Sequence, residues 1–128
     1  MKRSCWNDQN GRFLPEMSLD FMPVDKLKQV QLQRLQATVC LAYEKVPLFR
    51  SRMDEKKIKP SDIKTLKDIT LIPFSLKKDL RDTYPYGLFA TDMKQVVRLH
   101  ASSGTTGKPI VVGYTQEDMD VWAQVIKR

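Results

Sequence analysis

The sequence predicts an α/β fold, or α+β when the chain is taken alone. Helices come first, then a β-hairpin, then one last helix. Two observations carry this reading. From Leu27 to Val46 apolar residues recur at spacings of roughly three to five, the period of an amphipathic helix. After residue 95 the pattern changes to two short β-branched runs, "VVRLHA" and "PIVVGY", joined by the glycine- and hydroxyl-rich stretch "SSGTTGK".

The elements follow in order. Residues 1–21 show no period, and Trp6 and Phe13 read as packing points in an extended lead-in. Pro23 suits a first helical turn and Asp25 its positive end. The helix then carries Leu27, Val30, Leu35, Val39, Ala42 and Val46 on one stripe and stops at Pro47. Cys40 and Tyr43 border that stripe, so Cys40 is expected in the core. "PLFRSRMDEKK" is a second, short helix with Pro47 in its first turn, and "KIKPSDIKT" is a linker by composition. Thr65 and Asp68 form a capping pair before a helical turn that ends at Pro73. Ser75 is expected to cap "LKKDLRDTY", which Pro85 ends, and Gly87 gives backbone freedom to the turn "YPYGLFA".

The charge runs "DEKK" and "LKKDLRD" read as solvated helix faces, and Asp79 and Asp82 lack the enclosed sugar site that paired-carboxylate hydrolysis needs. The strands are expected at Val96–Ala101 and Pro109–Tyr114, antiparallel, with Val97 and Leu99 on one face and Val96 on the other. Thr115 and Asp118 cap the last helix, on which Met119, Trp122, Val125 and Ile126 share a face and Trp122 is expected in the core.

The loop between the strands has the composition of a phosphate site. Gly104 and Gly107 let backbone N–H groups approach an anion closely. Ser102, Ser103, Thr105 and Thr106 add hydroxyl donors, and Lys108 adds a full positive charge. It is not a Walker loop: Gly104 and Gly107 are separated by two residues, Pro109 follows Lys108, and a strand rather than a helix comes next. The dinucleotide fingerprint fails for the same reason. The competing structural reading is a hairpin turn filled with small polar residues, although a hairpin needs only two. His100, the only histidine, enters the loop on a strand and reads as a packed, bracing residue rather than a base.

Composition bounds the function. At 128 residues, 41% hydrophobic and 29% charged, the chain is a soluble globular class of one modest domain or part of a larger one. A net charge of +7 favours anionic partners, but the lysines are dispersed and no basic, aromatic-interleaved element points to nucleic acid. Cys5 and Cys40 have no metal-ligand spacing, so no metal site is expected. No apolar run suits a membrane span, and the N-terminal "MKRSCWNDQNGRF" lacks the apolar stretch of a secretory signal, so a cytoplasmic protein with reduced thiols is expected.

"SSGTTGKP" resembles the ATP-phosphate loop of the adenylate-forming enzymes, the acyl-CoA synthetase superfamily. "RLHASSGTTGKPIVVGYTQEDMDVWA", "YEKVPLFRSRM", "LIPFSLKKDLRDTYPYGLFA" and the Trp-Asn pair at Trp6 narrow the resemblance to the phenylacetate–CoA ligase family, from about Trp6 to Arg128. Ile110 departs from the threonine more usual there.

The resemblance implies that residues 1–128 are the N-terminal segment of an AMP-binding domain, part of the large N-terminal domain of such enzymes, with the rest of that domain and the C-terminal domain absent. It implies ATP and Mg²⁺ as cofactors, CoA as co-substrate and an aromatic carboxylic acid such as phenylacetate as substrate. Ser102, Ser103, Gly104, Thr105, Thr106, Gly107 and Lys108 become the ATP contacts, with Lys108 in the catalytic role of stabilising departing pyrophosphate. The alternative is a non-catalytic phosphate-binding or interaction module derived from such an enzyme. Alone, the chain is expected to bind ATP weakly and to make no acyl-CoA. It is also expected to self-associate, to need complementation by a second chain, or to lose order after about Thr91.

Overall fold

The computed structural model describes residues 21–102 and 109–126. Helix α1 (Val24–Lys45) turns back at Val46 into α2 (Pro47–Glu55). Pro23 is the residue before α1 rather than within its first turn, and its carbonyl accepts from the Leu27 amide at 2.9 Å. Pro47 opens α2, where its missing N–H is no loss. The corner is sealed by Arg50, which donates through Nε to the Tyr43 carbonyl at 2.8 Å and through its other arm to the Glu44 carbonyl. Both carbonyls belong to the last turn of α1, which has no helical donors left for them.

The core lies between α1, α2 and the segment that follows. Val39, Met53 and Ile63 are buried, and Leu35, Tyr43, Phe49, Ile58 and Ile72 close around them. Met53 is 0% exposed. Ile63 corrects the reading of "KIKPSDIKT" as a simple linker. That stretch forms a 3₁₀ turn (Pro60–Asp62), its Asp62 carboxylate accepts from the Lys59 amide at 2.8 Å, and Gln36 Nε2 donates to the Ile63 carbonyl at 2.8 Å. Polar composition concealed one deeply buried residue. Cys40 is likewise corrected: it is exposed, next to buried Val39. Its thiol donates to Glu44 Oε1 at 3.6 Å, and that carboxylate raises its pKa.

The capping pair forms as expected, with Asp68 accepting from the Thr65 amide at 2.6 Å and its hydroxyl at 3.0 Å ahead of the 3₁₀ stretch Leu66–Leu71. Helix α3 (Lys77–Asp82) differs from expectation at both ends. Leu76, not Ser75, is the entry residue, and its amide donates to Asp79 at 2.7 Å. The helix stops at Asp82, before Pro85, where the Thr83 hydroxyl donates to the Asp79 carbonyl at 2.7 Å.

Asp79 is not on a solvated face. It is 5% exposed and takes both arms of Arg52, at 2.6 and 2.7 Å. This ion pair ties α3 to α2. The Arg52 hydrogen bonds, with the Leu76 amide, hold the Asp79 carboxyl down to about 2.

Gly87 is required for closeness. Its amide donates to the Thr83 carbonyl at 2.8 Å, and a Cβ there would lie 2.6 Å from Thr83 Cβ and 2.7 Å from that carbonyl oxygen.

After a 3₁₀ turn (Met93–Gln95), strands β1 (Val96–Ala101) and β2 (Val111–Thr115) pair antiparallel, and α4 (Gln116–Ile126) follows directly. The predicted order of helices, hairpin and last helix is the observed one. The second strand is displaced towards the C-terminus: Pro109 and Ile110 precede it and Thr115 ends it. Among the described residues no helix is long and apolar enough to cross a membrane.

Candidate functional site: the base of the glycine-rich loop

The hairpin presents the loop by its two ends. Partners across the sheet run Arg98–Tyr114, Leu99–Gly113, His100–Val112 and Ala101–Val111. One step further, the Ser102 amide donates to the Ile110 carbonyl at 3.0 Å, and the Ile110 amide donates back to Ser102 Oγ at 3.3 Å. Ser102 thus closes the loop's base with its amide as donor and its hydroxyl oxygen as acceptor. Ser103, Gly104, Thr105, Thr106, Gly107 and Lys108 lie outside the described residues.

A bulge sets the strand faces. Val96 pairs with Thr115, but Arg98 already pairs with Tyr114, so β1 carries one extra residue there. The bulge reverses the alternation, and Val96 reaches the face of Gly113, which is also the face of Leu99. The expectation that Val96 and Leu99 point to opposite faces is therefore corrected. A simple period of two cannot see an inserted residue.

On the other face, His100, Tyr114 and Trp122 pack as three rings. His100 meets Tyr114 at 5.0 Å and Trp122 at 5.9 Å, and Tyr114 stacks on Trp122 at 5.8 Å. The Arg98 guanidinium lies 5.8 Å from the Trp122 ring. His100 is therefore the bracing residue the sequence suggested, holding α4 against both strands. Trp122 is corrected from core to half-exposed, at 39%. The cap of α4 forms as expected: Asp118 Oδ2 accepts from the Thr115 amide and hydroxyl, both at 2.8 Å.

An open cleft of about 960 Å³ separates this hairpin from the helical half. Leu41 and Lys45 of α1 and Leu80 of α3 line one side, Val111 and Gly113 of β2 the other, with Phe89 between them. A Cβ at Gly113 would sit 2.7 Å from Phe89 Cζ and 3.2 Å from Val96 Cγ1. Sequence reasoning missed this contact, though a glycine inside the run "VVGYT" signals a close approach. Among the described residues no three His, Cys, Asp or Glu side chains converge as a metal site.

Comparison with known proteins places this arrangement. The chain is 55% identical over 105 residues to the phenylacetate–coenzyme A ligase of Pseudomonas putida, covering 82% of this chain and 24% of that protein. The phenylacetate–coenzyme A ligase of Escherichia coli K12 is 52% identical with the same coverage. That of Thermus thermophilus is 49% identical over 110 residues, covering 86% of this chain and 25% of its own. The chain therefore spans about a quarter of the length of these relatives. No family model matches.

Among solved structures, 2-hydroxyisobutyryl-CoA ligase in complex with 2-HIB-AMP and CoA, in the thioesterification state, superposes with a TM-score of 0.77 at 26% identity. That match covers 95% of this chain and 29% of the other. An open conformation of the same ligase gives 0.70 at 26% identity, covering 81% and 23%. The helices, hairpin and final helix are those of the N-terminal domain of adenylate-forming CoA ligases.

Proposed function

We propose that this chain, which is related to the phenylacetate–coenzyme A ligases over 82% of its length, supplies the ATP-phosphate loop of an aryl-acid–CoA ligase. The observation that carries the reading is about 50% identity to such ligases in three organisms. The hairpin supports it, because Ser102 and Ile110 close the base of a loop whose residues suit phosphate.

The reaction has two halves. The acid's carboxylate oxygen attacks the α-phosphorus of ATP, the bond to the β-phosphate oxygen breaks, and pyrophosphate leaves with its electron pair. The CoA sulfur then attacks the acyl carbon of the adenylate, its thiol proton is lost, and AMP departs. The chain's own contribution is to the first half. We assign the backbone N–H groups of Gly104 and Gly107 and the hydroxyls of Ser103, Thr105 and Thr106 to binding the β- and γ-phosphates. Lys108 stabilises the charge that grows on pyrophosphate. Mg²⁺ bound with the nucleotide would supply further neutralisation of phosphate charge. The described residues offer it no carboxylate cluster.

The test joins residues 1–128 to the portion of the Pseudomonas putida ligase that lies beyond the match, then follows pyrophosphate and thioester formation from phenylacetate, ATP and CoA. Activity is expected. Loss of one charge-assisted contact, roughly 1.5–3 kcal/mol, makes Lys108→Ala roughly ten- to hundredfold slower in adenylate formation. Thioester formation from preformed acyl adenylate should change less. An equal fall in both halves contradicts the role of Lys108. A folded chimera that releases no pyrophosphate favours the second reading, a non-catalytic phosphate-binding module, which the quarter-length coverage of the relatives keeps in view.

A further inference from the structure

We infer that Phe89 is a positioning residue for the glycine-rich loop: it seats strand β2 on the helical half by occupying the space a side chain at position 113 would need. The inference rests on the proposed function for what the loop does, but not for the contact itself.

The cleft keeps α1 and α3 on one side and β2 on the other. Phe89 lines that cleft and lies against the backbone of β2 at Gly113. Its position is in turn fixed from the helical side. The Phe89 amide donates to the Tyr86 carbonyl at 2.9 Å, and the two rings meet at 5.2 Å. Gly87 closes the turn onto Thr83, Thr83 bonds back to Asp79, and Asp79 is held by both arms of Arg52. A continuous run of short contacts therefore leads from α2 to the middle of β2. From Gly113 the strand needs only Val112 and Val111 to reach Ile110, the residue that pins Ser102.

A ring against bare backbone is an intolerant contact. Any side chain at 113 meets Phe89 Cζ and Val96 Cγ1 at once. To restore ordinary carbon–carbon spacing, β2 or the ring must move by on the order of 1 Å. A shift of that size in a group that stabilises a transition state costs on the order of a hundredfold in rate. Phe89→Leu removes the ring atoms that would collide while keeping an apolar side chain there, so it should make room for alanine at 113.

The test has two readouts. In the chimera, Gly113→Ala should slow pyrophosphate release on the order of a hundredfold, leave thioester formation from preformed adenylate within a few-fold, and recover at least tenfold when combined with Phe89→Leu. In the 128-residue chain at low concentration, NMR should show Gly113→Ala moving the Ser102 and Ile110 amide resonances while those of Val39, Met53 and Ile63 stay in place. The double variant should move the former back.

Loop-base resonances that ignore Gly113→Ala overturn the inference, as do changes spread equally through the core or a double variant no better than the single. An inactive wild-type chimera counts against the proposed function alone, since the NMR result still decides the role of Phe89.

Discussion

Asp79 shows how one buried carboxylate can make acid stability local. Its carboxyl accepts from both arms of Arg52 and from the Leu76 amide, which hold it at about 2 against 3.8 in a free side chain. A depressed carboxyl stabilises the fold fully above the unfolded pKa and loses that contribution as pH falls through the folded one. The window is therefore from about pH 4 down to about 2. Asp79→Asn should be less stable than the wild type at pH 7, and the gap should narrow across that window; denaturant melts at pH 7, 4 and 2.5 measure it. A gap that stays constant with pH would show that Asp79 acts only by its shape.

None of this was legible at the residue. In "LKKDLRD" Asp79 sits among solvated charges, and the partner that buries it is 27 positions away in α2. The signals that did survive were local. Thr65–Asp68 and Thr115–Asp118 are contacts over three positions, and both formed as the spacing implied. Cys40 failed because one step around α1 separates buried Val39 from solvent.

At the scale of elements, periodicity located α1, β1 and α4 and Pro47 marked α2, while composition misjudged what lay between. Pro23 and Pro47 bound α1 and the α1–α2 corner because proline acts through its own ring. The stretch "KIKPSDIKT" looked like a linker because its charged residues outnumber Ile58 and Ile63, yet Ile63 is 1% exposed beneath α1. Burial of a lone apolar residue is decided by the surface that folds over it, which no local period records.

The interlock of Met53, Val39 and Ile63 makes α2 the keystone of this half. Met53→Ala should therefore cost about 2–5 kcal/mol, read as a lowered midpoint in denaturant. A cost within 0.5 kcal/mol, the range of ordinary surface changes, would mean that the three residues do not share a core.

Over the whole molecule, the hairpin is the part least provided for by its own chain. Among the described residues the sheet has two strands, and a lone pair of strands is marginal in water. Val97, Leu99 and Val112 on the strands and Val121, Val125 and Ile126 on α4 are all exposed. The His100–Tyr114–Trp122 cluster holds α4 to the strands, and Phe89 holds β2 to the helical half, but among the described residues the outer edges of both strands remain open. Open edges beside apolar surface recruit another polypeptide.

This chain spans about a quarter of the length of its relatives, and we propose that the remaining portion of such a ligase covers this surface. The isolated chain should therefore self-associate as its concentration rises, measured by sedimentation velocity. Adding the remainder of the Pseudomonas putida ligase as a separate polypeptide should dissolve those assemblies and slow hydrogen exchange at Leu99 and Val112. A chain that stays monomeric at high concentration, with its strand amides already protected, would show that the hairpin is stable without a partner, and the case for complementation would fall with it.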